Sequence, residues 1–253
     1  MITIRQKLPV IATIFAALLL PACTSTNSGS TGPEEDRFQE TPYEGVENPS
    51  EPTVVRFITE DNEDISGFLF NGGGDVGIVL AHMRGRGQST WFEFANKASE
   101  SGYVVLTFDF RGYGNSTGKK DKRMDRDLEA AVRYMSLVQK VREVVIIGAS
   151  MGGTAAIAIA DEFNVAAVAA LSPSTTFGRI DALEAASSMT TPLYLVVAEN
   201  DPPFNGYVNS LRTTASTTRY LEMTGSQHGT NLFAEHNDEL TEQLLAFVYA
   251  QTR

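Results

Sequence analysis

The chain is 253 residues long, 42% hydrophobic and 20% charged, the composition of a globular protein able to bury one sizeable core. Its one cysteine, Cys23, excludes an intrachain disulfide and a thiolate zinc cluster. Twenty basic against thirty-one acidic residues, net −11, leave no basic excess to displace counterions, so no nucleic-acid partner is expected.

Arg5 and Lys7 precede an apolar run from Leu8 to Leu20, broken only by Pro9 and Thr13. So short a run cannot span a hydrocarbon core of ~30 Å as a helix, and it has no polar face. Residues 1–22 therefore read as an export signal. Leu20-Pro21-Ala22-Cys23 resembles the bacterial lipoprotein processing box. The resemblance implies that Cys23 carries lipid and becomes the mature N-terminus. Several acyl chains, at ~0.8 kcal/mol per buried methylene, would then hold the protein on a membrane surface. Thr24, where Gram-negative inner-membrane sorting patterns have Asp, points by the same resemblance to an outer-membrane address. Residues 23–52 are polar and low in complexity, with Pro33, Pro42, Pro49 and Pro52 among acidic side chains. Such a stretch buries too little apolar area to offset chain entropy, and a disordered tether is expected.

One domain is expected over residues 53–253. Thr53–Thr59 and Ile65–Phe70 are β-rich runs around the acidic turn 60–64, an antiparallel hairpin. The continuous apolar run Val76–Ala81 marks a strand covered on both faces. Helical spacing follows over Thr90–Glu100, a strand over Tyr103–Phe108, and a charged helix over Lys122–Val138. Val144–Ile147, Val165–Leu171, Leu193–Val197 and Arg219–Met223 read as strands. Helices are expected at Gly152–Ala160, Arg179–Ser188, Pro203–Thr214 and Glu235–Tyr249. Strands separated by helices require right-handed crossovers, so the expectation is an α/β fold: a mostly parallel, eight-stranded sheet with helices on both faces.

Gly148-Ala149-Ser150-Met151-Gly152 is a G-x-S-x-G element between an apolar strand and a small-residue helix. That context makes Ser150 a candidate nucleophile, because a sharp strand-to-helix turn lifts the hydroxyl above the sheet edge. A serine at its normal acidity needs a base. Of the three histidines, His228 lies in a loop after the last predicted strand, where parallel sheets place their reactive side chains. His236 starts the final helix and reads as a surface residue, and His82 reads as an organiser of its own loop.

Asp201, after the strand Leu193–Val197, is the candidate carboxylate to orient the imidazole. Glu199 is its competitor, and a helix cap is the other reading of Asp201. The amide of Met151 is one expected oxyanion donor. The second is expected from the loop 81–87, by position Arg84, with Met83 the alternative. The Arg84 and Arg86 side chains fit either solvated charges or a grip on an anionic substrate.

With these elements in place, residues 53–250 resemble the α/β-hydrolase superfamily. Phe108-Asp109-Phe110-Arg111-Gly112-Tyr113-Gly114-Asn115-Ser116 is similar to its D-x-R-G-x-G-x-S turn, whose family role is structural. Met83 stands where the family has glycine after histidine, and Ala198 replaces a common glycine before the acid. Only about twenty residues separate Leu171 from Leu193, room for a crossover helix but not for a large cap. The chain thus looks like the lidless dienelactone-hydrolase-like and carboxylesterase branches. The resemblance implies an envelope-tethered serine hydrolase that cleaves small or polymer-attached carboxylic esters through an acyl-enzyme on Ser150. It implies no metal and no organic cofactor. The same triad also serves peptidases and acyltransferases, and a non-catalytic envelope-binding module is the reading from another class.

Overall fold

The computed structural model describes residues 38–40, 51–163, 165–216 and 218–253. The export signal, Cys23 and most of the tether read from sequence lie outside the described residues.

Eight strands appear where the sequence places them: β2 (Thr53–Ile58), β3 (Asp64–Asn71), β4 (Val76–Ala81), β5 (Val104–Phe108), β6 (Glu143–Ala149), β7 (Ala167–Leu171), β10 (Leu193–Ala198) and β11 (Thr218–Met223). A further strand, β1 (Phe38–Glu40), falls within the stretch read as a tether and pairs antiparallel with β2. The sheet order is β1-β2-β3-β5-β4-β6-β7-β10-β11. From β5 to β11 every pairing is parallel, and β2–β3 and β3–β5 are antiparallel.

Strands β4, β5, β7 and β10 are buried at every position. Their apolar runs lack alternation because both faces are covered. On one face, Val79, Ala81, Ile146 and Val168 pack with α2 (Met124–Arg133), α3 (Met151–Ile159), α4 (Ala182–Ser188) and α5 (Phe204–Thr214). On the other, Ile78, Leu80, Val145 and Ala169 pack with α1 (Phe92–Glu100) and α6 (Phe233–Gln251). A one-residue shift along any of these strands would exchange the two cores, so the register is fixed by both at once. This is the α/β-hydrolase fold that the sequence resembles.

Two local expectations change. The helix read over Arg179–Ser188 starts at Ala182, because Thr176–Phe177 (β8) and Ile180–Asp181 (β9) first form a small antiparallel pair. Asp181 then caps α4 by accepting the Glu184 N–H at 2.9 Å, which sets the helix start. The helix read over Lys122–Val138 ends as α-helix at Arg133 and continues as a π-turn over Tyr134–Val138. No large cap lies between β7 and β10; that connection holds only the β8–β9 pair and α4. Among the described residues, no helix is long and apolar enough to cross a membrane.

Candidate active site

Four adjacent strands end on one side of the sheet, and each delivers one polar side chain there. Ser150 follows β6, Ser172 follows β7, Asp201 follows β10 and His228 follows β11. Backbone bonds carry the ladder past the strand ends: Ser150 N–H donates to Leu171 O and Ser172 N–H to Val196 O, both at 2.8 Å. Glu199 N–H likewise donates to Met223 O at 2.9 Å. The loops are therefore registered by the sheet that precedes them.

Ser150 has φ +48° and ψ −112°, a region that L-residues occupy only under constraint. The constraint comes from the approach of α3 to β6 and β4. A Cβ on Gly148 would lie 2.5 Å from the Gly152 carbonyl carbon and oxygen, and one on Gly152 would strike the Ala81 carbonyl. Glycine at both positions lets the helix start directly against the two strands, and the serine between them takes up the turn. The N–H of Met151, the first of α3, has no intrahelical acceptor. The N–H groups of Met83 and Arg84 donate to no backbone acceptor among the described residues. Their loop begins close to the helix, since a Cβ on Gly152 would lie 2.8 Å from His82 O.

His228 Nδ1 lies 2.9 Å from Asp201 Oδ2. The Nδ1–H donates to that carboxylate, which leaves Nε2 with a free lone pair. Asp201 is buried, and its side chain makes no cap to α5, so the cap reading of this residue falls away. Glu199 is exposed, and its Oε1 accepts the Asn200 amide at 3.1 Å and the Gly225 N–H at 3.4 Å. One face of the imidazole is covered by Phe204, with ring centroids 4.0 Å apart.

The His228 loop packs on the elbow. A Cβ on Gly229 would sit 3.4 Å from Ala149 Cβ and 2.8 Å from Met83 Sδ. Thr230 Oγ1 also lies 3.7 Å from Met83 Sδ. Met83 spends its side chain filling the space between the two loops and is 5% exposed. Ser172 went unnoticed in the sequence. Its φ is +49°, it is fully buried, and its Oγ accepts the Gly229 N–H at 3.2 Å. Thr154 is a second missed residue: its hydroxyl is 3.0 Å from Ser150 O and accepts the Ser174 N–H at 2.9 Å. Neither has a sequence signal, because each acts on a backbone group that only the folded chain brings to it: Gly229 N–H for Ser172 and Ser174 N–H for Thr154.

The other histidines are structural. His82 is fully buried, accepts the Phe110 N–H on Nε2 at 3.0 Å and donates from Nδ1 to Met83 O at 2.9 Å. Burial lowers its pKa, so the ring stays neutral at pH 7. His236 is half-buried rather than on the surface; it sits at a kink in α6, and its Nε2–H donates to Thr224 O at 2.9 Å. Asp109 holds the loop 87–88 through Gln88 N and Nε2, at 2.9 and 2.7 Å. Arg111 is buried between Asp127 and Asp61, 2.7 Å from a carboxylate oxygen of each. Arg84 Nε donates to Asp121 Oδ2 at 2.9 Å, so the Arg84 charge is already paired.

An Alpha/beta hydrolase family model matches residues 78–187 of this chain. The quorum-quenching protein AidA of Acinetobacter baumannii is 33% identical over 139 residues, 50% of this chain and 45% of that protein. A 2-hydroxy-6-oxononadienedioate/2-hydroxy-6-oxononatrienedioate hydrolase of Escherichia coli is 32% identical over 92 residues, 34% of this chain and 32% of that one. The chain thus spans half or less of the length of the curated relatives it matches. Among solved structures, a Pyrococcus furiosus esterase superposes with a TM-score of 0.72 at 21% identity, covering 84% of this chain and 98% of its own. A Xanthomonas campestris serine hydrolase without a lid gives 0.66 at 17% identity, covering 80% and 96%. At these identities the likeness is one of fold.

Proposed function

With an α/β-hydrolase fold as premise, we propose that this chain is a serine hydrolase that cleaves carboxylic esters. Ser150 Oγ attacks the ester carbonyl carbon while His228 Nε2 takes the hydroxyl proton. The Asp201 carboxylate holds the ring through Nδ1 and favours the imidazolium that forms. The oxyanion of the tetrahedral intermediate receives N–H donors from Met151 and from Arg84 or Met83. The C–O bond then breaks, the alcohol leaves with the proton from His228, and an acyl-Ser150 remains. Water enters, gives its proton to the same Nε2, and the acid is released as Ser150 regains its hydrogen.

The observation that carries this reading is the 2.9 Å contact between a buried Asp201 and His228 Nδ1, on a loop packed against Ala149. A cap-free connection between β7 and β10 suits an ester whose acyl or alcohol part is bulky. The decisive experiment is turnover of p-nitrophenyl butyrate by the wild type and by Ser150→Ala, with fluorophosphonate labelling alongside. The reading expects both signals to vanish in the variant. Retained turnover, or equal labelling, overturns it.

The envelope tether is part of the proposal and rests on the residues around Cys23. Labelled palmitate should enter the wild type in a bacterial host and be absent from Cys23→Ser.

A further inference from the structure

Next to the oxyanion loop, away from Ser150, lies an open cleft of about 500 Å³ between the loop 85–89 and the turn 113–120. Two cations line it, Arg86 and Lys120. In a chain of net charge −11, neither meets a carboxylate within 4 Å among the described residues. Lys120 Nζ instead sits 4.7 Å from the centre of the Tyr113 ring. Arg84, two residues from Arg86, is paired with Asp121, so the pairing sets the two arginines apart.

The single acid lining the cleft, Asp109, is 6% exposed and has both oxygens engaged by Gln88. It therefore offers neither cation a contact, and the cleft carries more positive than negative charge. On the apolar side, Phe68 and Phe92 meet edge to face at 5.2 Å and are half-buried. A planar guanidinium fork and an ammonium beside an aromatic floor suit an organic carboxylate with a ring or short apolar body. The volume lies within the range of small-molecule sites.

We propose that this cleft binds such a carboxylate, held by Arg86 and Lys120 with its body on Phe68 and Phe92. The inference stands apart from the hydrolytic reading, since none of its residues belongs to the proposed triad. The ligand can be a free acid or the acid group of an ester that reaches across from Ser150. The chemistry recognised is the same.

Binding is read as heat by isothermal titration calorimetry, because Trp91, the only tryptophan of the chain, is fully buried and lines no part of the cleft. The test titrates the full-length protein with 3-phenylpropanoate and with its neutral amide, in the wild type and in Arg86→Gln/Lys120→Gln. The proposal expects saturable binding of the acid that weakens with salt and falls at least tenfold in the double variant at unchanged Tm. It expects little binding of the amide. No saturable change, equal binding by the double variant, or an amide that binds as tightly as the acid would overturn it. Ester turnover measured in parallel separates the sources. Competitive inhibition by the acid that disappears in the double variant marks an extension of the substrate site, and binding without inhibition marks a separate one.

Discussion

The hydroxyl of Ser172, 3.2 Å from the Gly229 N–H, ties the end of β7 to the loop that carries His228. Ser172→Ala leaves that buried donor without its partner, at a cost of about 1–3 kcal/mol. The larger effect is expected on turnover, because the proposed proton transfer depends on where this loop holds the imidazole, and among the described residues no Ser150–His228 hydrogen bond fixes it independently. Ester turnover should fall roughly 10- to 100-fold. Fluorophosphonate labelling should slow by a similar factor while the protein remains folded by circular dichroism. Unchanged labelling would mean that Phe204 and Asp201 suffice to hold the ring.

Asp201 and Glu199 compete in sequence but not in space. Asp201→Asn keeps the shape and removes the charge, and turnover should drop by a factor on the order of 10³–10⁴. Glu199→Gln, at an exposed side chain bonded to Asn200 and Gly225, should stay within about twofold of wild type. Steady-state kinetics on one ester decides both.

His82 gives the stability a defined pH dependence. Burial lowers its pKa in the folded state below the ordinary 6.5, so the unfolded chain binds the proton more readily. Its contribution is present above about pH 6.5 and is lost as the pH falls below it. His82→Asn keeps one donor and one acceptor but does not titrate. The fall in Tm between pH 7 and pH 5 should be shallower in the variant, and parallel curves would contradict this assignment.

Arg111 is 4% exposed and satisfies Asp127, which is fully buried. Arg111→Met strands that carboxylate and should cost about 3–5 kcal/mol in chemical denaturation. Arg111→Met/Asp127→Asn should recover part of the loss, since the neutral amide can still accept the backbone N–H that Asp127 now accepts from residue 111 at 2.9 Å. Hydrogen bonding by Arg111 also holds the Asp61 carboxyl well below the usual carboxylate range. That contribution exists above about pH 4 and is lost as the pH falls further, so the deficit of Arg111→Met should narrow in acid.

Much of this architecture was readable because the core is written in unbroken apolar runs. Val76–Ala81 and Leu193–Ala198 are short, continuous apolar runs rich in β-branched residues, the pattern of strands covered on both faces. Ser150 was readable because glycines at 148 and 152 flank it between an apolar strand and a small-residue helix, at a junction where side chains cannot fit. The choice of Asp201 over Glu199 was visible only as chain order, and burial is what distinguishes them. Ser172 and Thr154 were not readable, since an isolated Ser or Thr looks alike whether it faces solvent or a buried backbone N–H. The strand Phe38–Glu40 was hidden by its polar neighbourhood, because an edge strand needs pairing to β2 more than it needs a core. The small β8–β9 pair was hidden by its length of two residues per strand.

Because four neighbouring strand ends each lead to one polar group, the hydrogen-bonded spacing of the sheet sets where the loops begin, and ties such as Ser172 to Gly229 set the rest. The connection from β7 to β10 leaves beside these ends, crosses to the far edge of the sheet where the parallel β10 begins, and supplies none of the groups Ser150, Asp201 or His228. Lengthening it would therefore roof the cleft while the reacting atoms stayed where they are. A scaffold of this kind can change what it admits without rebuilding what it does.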